Sequence, residues 1–143
     1  MVNIYIASDH AGFKIKKKII KIISQLGYEI EDLGPENEDP VDYPDYAKKV
    51  TTKVSKYKNS FGILICGSGT GMAIAANKIK GIRAAFCYDI YSAKMARYDN
   101  NANILTLRAR NFLSFKYKPI VKTFLETRFS GIERHKRRIN KLE

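Results

Sequence analysis

The sequence predicts a single doubly wound, Rossmann-like α/β domain with a five-stranded parallel sheet. Short apolar runs alternate with amphipathic segments along the whole chain. Strands separated by helical segments of about ten to fifteen residues form right-handed βαβ units and hence a parallel sheet. With 143 residues, 45% of them hydrophobic, the chain can bury one core. No internal repeat, linker or shift in composition divides residues 1–143, so they read as one domain.

The elements follow in order. VNIYIA is a buried strand, after which Ile15, Ile19, Ile22, Ile23 and Leu26 recur at helical spacing from Phe13, with Gly27 placed to end the helix. YEIEDLG supplies a second strand and PENEDPVDYP a loop. A helix from about Asp45 to Lys56 is expected to bury Tyr46, Val50 and Val54. The third strand, FGILIC, runs into three alternating glycines and a helix over residues 71–78. IRAAFCY is the fourth strand, residues 90–99 a helix, and NILTL the fifth strand. Residues 114–126 and 131–142 close the chain as helices. The last has no strand after it and is expected to pack on another subunit.

Lys and Arg number 26 against 14 Asp and Glu, a formal charge of +12. Such a charge suits nucleic acid, an acidic membrane surface or anionic small molecules. The lysines fall mainly on helical segments such as KIKKKIIKII, where a solvated face explains them. The aromatic residues do not interleave with the basic clusters and no nucleic-acid motif is present, so a nucleic-acid partner is not expected. No apolar stretch reaches the ~20 residues that span a bilayer, and the N-terminal MVNIYIASDH enters a strand without a signal layout, so no membrane is expected and a cytoplasmic protein is the reading. Cys66 and Cys87 lack metal or redox spacing; Cys87 reads as a small buried hydrophobe.

Function is expected at the carboxyl ends of the strands, where CGSGTGM follows the third. A nucleotide P-loop fails, because its Gly-Lys-Ser/Thr end would have to fall on Met72 or Ile74. The dinucleotide fingerprint and a Cys-x5-Arg phosphatase loop also fail at Met72. What survives is physical: Gly67, Gly69 and Gly71 present backbone amides at a helix N-terminus, where an anion or a developing oxyanion is favoured. The same field favours a thiolate at Cys66, and Ser68 could hydrogen-bond it. A tight strand–helix turn holding a buried cysteine fits the spacing equally well. Asp9 and His10, in SDHAG, should share the sheet edge with Cys66, although the pair also suits a helix cap. Asp99-Asn100-Asn101 has a helix-terminating composition. Arg110, and Arg134 with Arg138 four residues apart on one helix face, can hold a dianionic phosphate, or simply form a solvated basic tail.

Together, SDHAGF, DYPDYA, GILICGSGTGMAIAANKIKGIRAA, SAKMAR and NNANIL resemble the ribose-5-phosphate isomerase B family, which extends to galactose-6-phosphate isomerase subunits. The resemblance implies an aldose–ketose isomerase, without metal or cofactor, that interconverts ribose 5-phosphate and ribulose 5-phosphate. Cys66 then matches the base that shuttles a proton between C1 and C2, and Ser68 the hydroxyl two residues on. The amides of 67–71, Thr70 included, match the anion hole for the cis-enediolate. Asp9, Tyr43 and Asn100 match sugar-binding positions; His10, Arg110, Arg134 and Arg138 match the phosphate cluster, part of it from a neighbouring subunit. A homodimer, or a dimer of dimers, is implied.

One position departs from that pattern. The family's ring-opening histidine is replaced by Asp99, and the other histidine, His135, does not match that place. Either Asp99 serves with a raised pKa, or the ring opens unaided and Asp99 only binds. This departure keeps a six-carbon substrate, allose or galactose 6-phosphate, as the alternative.

Overall fold

The computed structural model describes residues 2–143. Five strands, β1 (Asn3–Ser8), β2 (Ile30–Asp32), β3 (Ser60–Cys66), β4 (Ala84–Phe86) and β5 (Ile104–Arg108), form one parallel sheet in the order β2-β1-β3-β5-β4. The helices are α1 (Phe13–Gln25), α2 (Tyr43–Lys56), α3 (Thr70–Asn77), α4 (Ile90–Tyr98), α5 (Tyr117–Glu126) and α6 (Glu133–Asn140), with a 3-10 turn at Ser114–Lys116 before α5.

Central strands read as continuous apolar runs because both faces are covered. On one face Ile4, Ile6, Ile63, Ile65 and Leu105 pack with Ile19 and Ile23 of α1, Ala93 of α4 and Phe124 of α5. On the other, Tyr5, Leu64 and Ile104 meet Ala47, Val50 and Val54 of α2 and Met72 and Ala76 of α3. Cys87 is buried in the first cluster, as its apolar run suggested.

The sequence misplaces three details. α2 begins at Tyr43 rather than Asp45, with proline in its first turn, where a missing N–H costs nothing. Tyr46 is only half-buried, and Ala47 and Thr51 take the inward positions beside Val50 and Val54. Lys16 is not on a solvated face. It is 1% exposed, and its Nζ donates to Asp32 Oδ1 at 2.8 Å and to the Pro35 carbonyl at 2.6 Å. A buried ammonium persists only when so paired, and the pairing ties α1 to the segment after β2.

The chain runs from β1 to one neighbour, β2, then returns to the other side at β3. The crevice of an open α/β sheet lies where the order reverses in this way, outside the carboxyl ends of the two strands. Here it lies above β1 and β3.

Candidate active site

Backbone bonds gather the loops over that crevice. The Asp9 N–H donates to the Ile65 carbonyl (3.1 Å), which sets the end of β1 beside Cys66. Asp9 Oδ1 accepts the Gly12 N–H at 3.0 Å, so the carboxylate closes the turn into α1. Across β3, Ala109 N–H donates to the Cys66 carbonyl (2.9 Å) and Arg110 N–H to the Gly67 carbonyl (3.1 Å). Asp9, Cys66 and Arg110 therefore converge on one edge, as expected for the first two.

The glycine loop folds back on its cysteine. The Gly69 N–H donates to Cys66 Sγ at 3.2 Å, so a backbone dipole points at the sulfur. Gly69 has φ +79°, and a Cβ there would lie 2.7 Å from the Phe86 ring, so only glycine fits this turn. The expected bond between Ser68 and Cys66 is absent among the described residues. Ser68 Oγ accepts the Thr70 N–H at 3.3 Å instead and holds the first turn of α3. Two side chains lie against the loop: a Cβ at Gly67 would meet Arg110 Nη1 at 3.0 Å, and one at Gly71 would meet the Tyr43 ring at 2.9 Å. His10 Nδ1 accepts the Val41 N–H at 3.2 Å. In a neutral ring this leaves the proton on Nε2, free to donate.

The other predicted residues lie elsewhere. α4 runs back across the sheet, so Asp99 and Asn100 sit at the amino-terminal edge, opposite Cys66. Asn100 lines a cleft of about 730 Å3 there with Arg83, Leu142 and Glu143. The register pairs Gly62 with Ile104 at that edge and Cys66 with Arg108 at the other. At about 3.3 Å per residue the strands put some 13 Å between the edges. α6 is held at the Asp99 edge as well: Ser130 N–H donates to the Tyr98 carbonyl (3.0 Å), and His135 Nδ1 lies 3.6 Å from Asp99 Oδ1. Arg134 and Arg138 are exposed on this helix. The expected site residues thus fall in two separated groups, Asp9, His10, Tyr43, Cys66–Gly71 and Arg110 on one edge, and Asp99, Asn100, Arg134 and Arg138 on the other.

Two residues at the second edge make contacts that the sequence does not signal. Arg97 is 8% exposed. Its Nη1 donates to the Ala102 carbonyl (2.6 Å) and Asn101 Oδ1 (2.9 Å), and its Nε to the Thr127 carbonyl (3.3 Å). Desolvation lowers its pKa. It fixes the Asp99–Asn101 turn against the end of α5, and a single arginine in the last turn of a helix gives no sequence signal of burial. His135 is the second; its contact with Asp99 joins positions 36 residues apart.

A family model described as Ribose/Galactose Isomerase matches residues 4–142. A probable ribose-5-phosphate isomerase B of Mycoplasma pneumoniae is 44% identical over 140 residues, 97% of this chain and 91% of its own. A D-erythrulose-4-phosphate isomerase of Pectobacterium atrosepticum is 40% identical over 133 residues, 92% and 87% of the two chains. Among solved structures, a ribose 5-phosphate isomerase of Thermotoga maritima superimposes with TM-score 0.94 at 50% identity, covering 99% of this chain and 97% of that one. The type B ribose 5-phosphate isomerase of Trypanosoma brucei gives 0.94 at 44% identity, with 99% and 97% covered.

Proposed function

The chain belongs to the ribose/galactose isomerase family, and from that premise we infer that it interconverts D-ribose 5-phosphate and D-ribulose 5-phosphate. The observation that carries the mechanism is the Gly69 amide on Cys66 Sγ at the switch point of the sheet. Ribose 5-phosphate isomerases at 44–50% identity over nearly the whole chain favour the five-carbon substrate over a six-carbon one.

In this reading the Cys66 thiolate takes the C2 proton of the opened aldose. The C2–H electrons form the C1=C2 bond and the carbonyl pair moves onto O1. The preorganised loop amides of Gly67–Gly71 hold that negative charge. The O2 proton passes to O1 with the Ser68 hydroxyl at hand, and Cys66 returns its proton to C1. The sum is a shift of hydrogen from C2 to C1 and from O2 to O1, with no net redox. Asp9 and Tyr43 flank the sugar, and His10 and Arg110 meet the phosphate.

The working unit is a homodimer in which each Cys66 edge faces the Asp99 edge of the other chain. The separation of the two groups supports this, because Asn100, Arg134 and Arg138 cannot reach substrate at Cys66 of their own chain. Exposed Ile74, Tyr88, Ile90, Tyr91 and Phe115 supply apolar area for such an interface. Among the described residues no helix is long and apolar enough to cross a membrane; a cytoplasmic location is part of this proposal.

Incubation with ribose 5-phosphate, followed by assay of ribulose 5-phosphate beside allose and galactose 6-phosphates, tests the assignment. Turnover of the pentose phosphate above both hexose phosphates is expected. Preference for a hexose phosphate would replace it.

A further inference from the structure

We infer that His135 is a positioning residue for ring opening, a proton store behind Asp99 that compensates for the missing histidine at position 99. This rests on the isomerase reading above, in which Asp99 faces the substrate.

His135 is 7% exposed on a helix whose neighbours Arg134, Lys136, Arg137 and Arg138 are exposed. A buried imidazole needs polar partners, and it has two on one nitrogen. Nδ1 lies 3.1 Å from Ser130 Oγ and 3.6 Å from Asp99 Oδ1. Ser130 Oγ also accepts the Ile132 N–H at 3.3 Å, so its own proton is free to point at Nδ1. Nδ1 therefore has a polar neighbour in either protonation state. When neutral, Nδ1 accepts from the Ser130 hydroxyl; when protonated, Nδ1–H turns to the Asp99 carboxylate. The Tyr98 ring stands edge-on at 6.5 Å and 79° and closes another side. Other charges nearby are engaged elsewhere: Lys136 pairs with Glu133 at 3.1 Å, and Arg97 bonds Asn101, Ala102 and Thr127. Asp99, with 41% of its side chain exposed, stands between the buried ring and solvent.

The chemistry explains the arrangement. Opening a furanose moves one proton from the anomeric O1 to the ring oxygen O4. An isolated carboxylate, with an ordinary pKa near ~4, carries almost no proton at neutral pH, whereas an imidazole titrates near ~6.5. With the ring behind it, Asp99 receives a proton from Nδ1 and gives it to O4 as the C1–O4 bond breaks, its electron pair staying on O4. The O1–H pair becomes the C1=O bond as O1 loses its proton to Asp99, and that proton returns to Nδ1. The proton count closes with no other reactant.

The test separates ring opening from enolisation. Ribulose 5-phosphate has its terminal hydroxyl phosphorylated and cannot close a furanose, so Cys66-dependent exchange of its C1 hydrogen with deuterated water needs no ring-opening group. For His135→Gln the forward turnover of ribose 5-phosphate should fall about 100-fold, while wash-in of deuterium at C1 of ribulose 5-phosphate stays within about twofold. Asp99→Asn, a partly exposed and nearly isosteric change, should show the same split, and the double variant should be no worse than the weaker single one, because the two residues act as one unit. Equal loss of turnover and wash-in in Asp99→Asn, or no loss of turnover in either variant, overturns the proposal. A wild-type protein that shows neither turnover nor wash-in overturns the isomerase reading itself.

Discussion

Cys66 and Cys87 show how neighbours, rather than residue type, decide what a thiol does. Both end apolar strand-like runs and both are buried. Cys66 Sγ receives a backbone N–H from the turn of the glycine loop, while Cys87 sits in the apolar core, where burial pushes its thiol up to about 12. Cys66→Ala should lower isomerase turnover about 10³-fold and leave binding of a non-reacting phosphate analogue, followed by calorimetry, nearly unchanged. Loss of both together would assign Cys66 to binding or folding. For Cys87 the sign follows from where the proton is held. The folded chain keeps it to about 12, and an unfolded chain releases it near ~8.5, so this contribution to stability is whole below the lower value and fades as pH rises toward the upper one. Alkaline denaturation midpoints should therefore fall less steeply with pH in Cys87→Ala than in the wild type.

At the level of elements, periodicity located every strand and helix, and it misjudged the edges. β2 and β4 were read as seven residues each and pair over three. They are edge strands, each with one neighbour, and an apolar run cannot say how much of it finds a ladder partner. The three glycines of the β3–α3 turn mark it as a loop that presents its amides, and only the Gly69 φ of +79° and the Phe86 ring beside it show which glycine conformation constrains. Gly69→Ala should destabilise the fold by about 1–3 kcal/mol, seen as a lower denaturation midpoint. An unchanged midpoint would show that Phe86 and the loop yield freely. Lys16 was illegible for a different reason. Its spacing, three before Ile19 and seven before Ile23, is that of the buried face, but its residue type suits solvent, and only the path of the chain after β2 brings Asp32 and Pro35 to its ammonium.

For the molecule as a whole, the sequence places Asp9 and His10 on the Cys66 edge without saying which end of the sheet Asp99, Asn100 and the C-terminal arginines occupy. Strand order and the return direction of α4 and α6 place Asp99, Asn100, Arg134 and Arg138 on the edge opposite Cys66. That placement divides the expected site residues between two edges of one chain, as the proposed shared site needs. It also explains why the strandless α6 carries arginines with no substrate-binding loop of its own chain near them. The decisive measurement is complementation between two inactive variants, Cys66→Ala and Arg134→Ala/Arg138→Ala, unfolded, mixed in equal amounts and refolded. Each mixed dimer should contain one intact site, formed from the Cys66 edge of one chain and the arginine edge of the other, and recover about a quarter of wild-type ribose 5-phosphate isomerisation. Activity no greater than the sum of the two separate variants would contradict a site shared between chains.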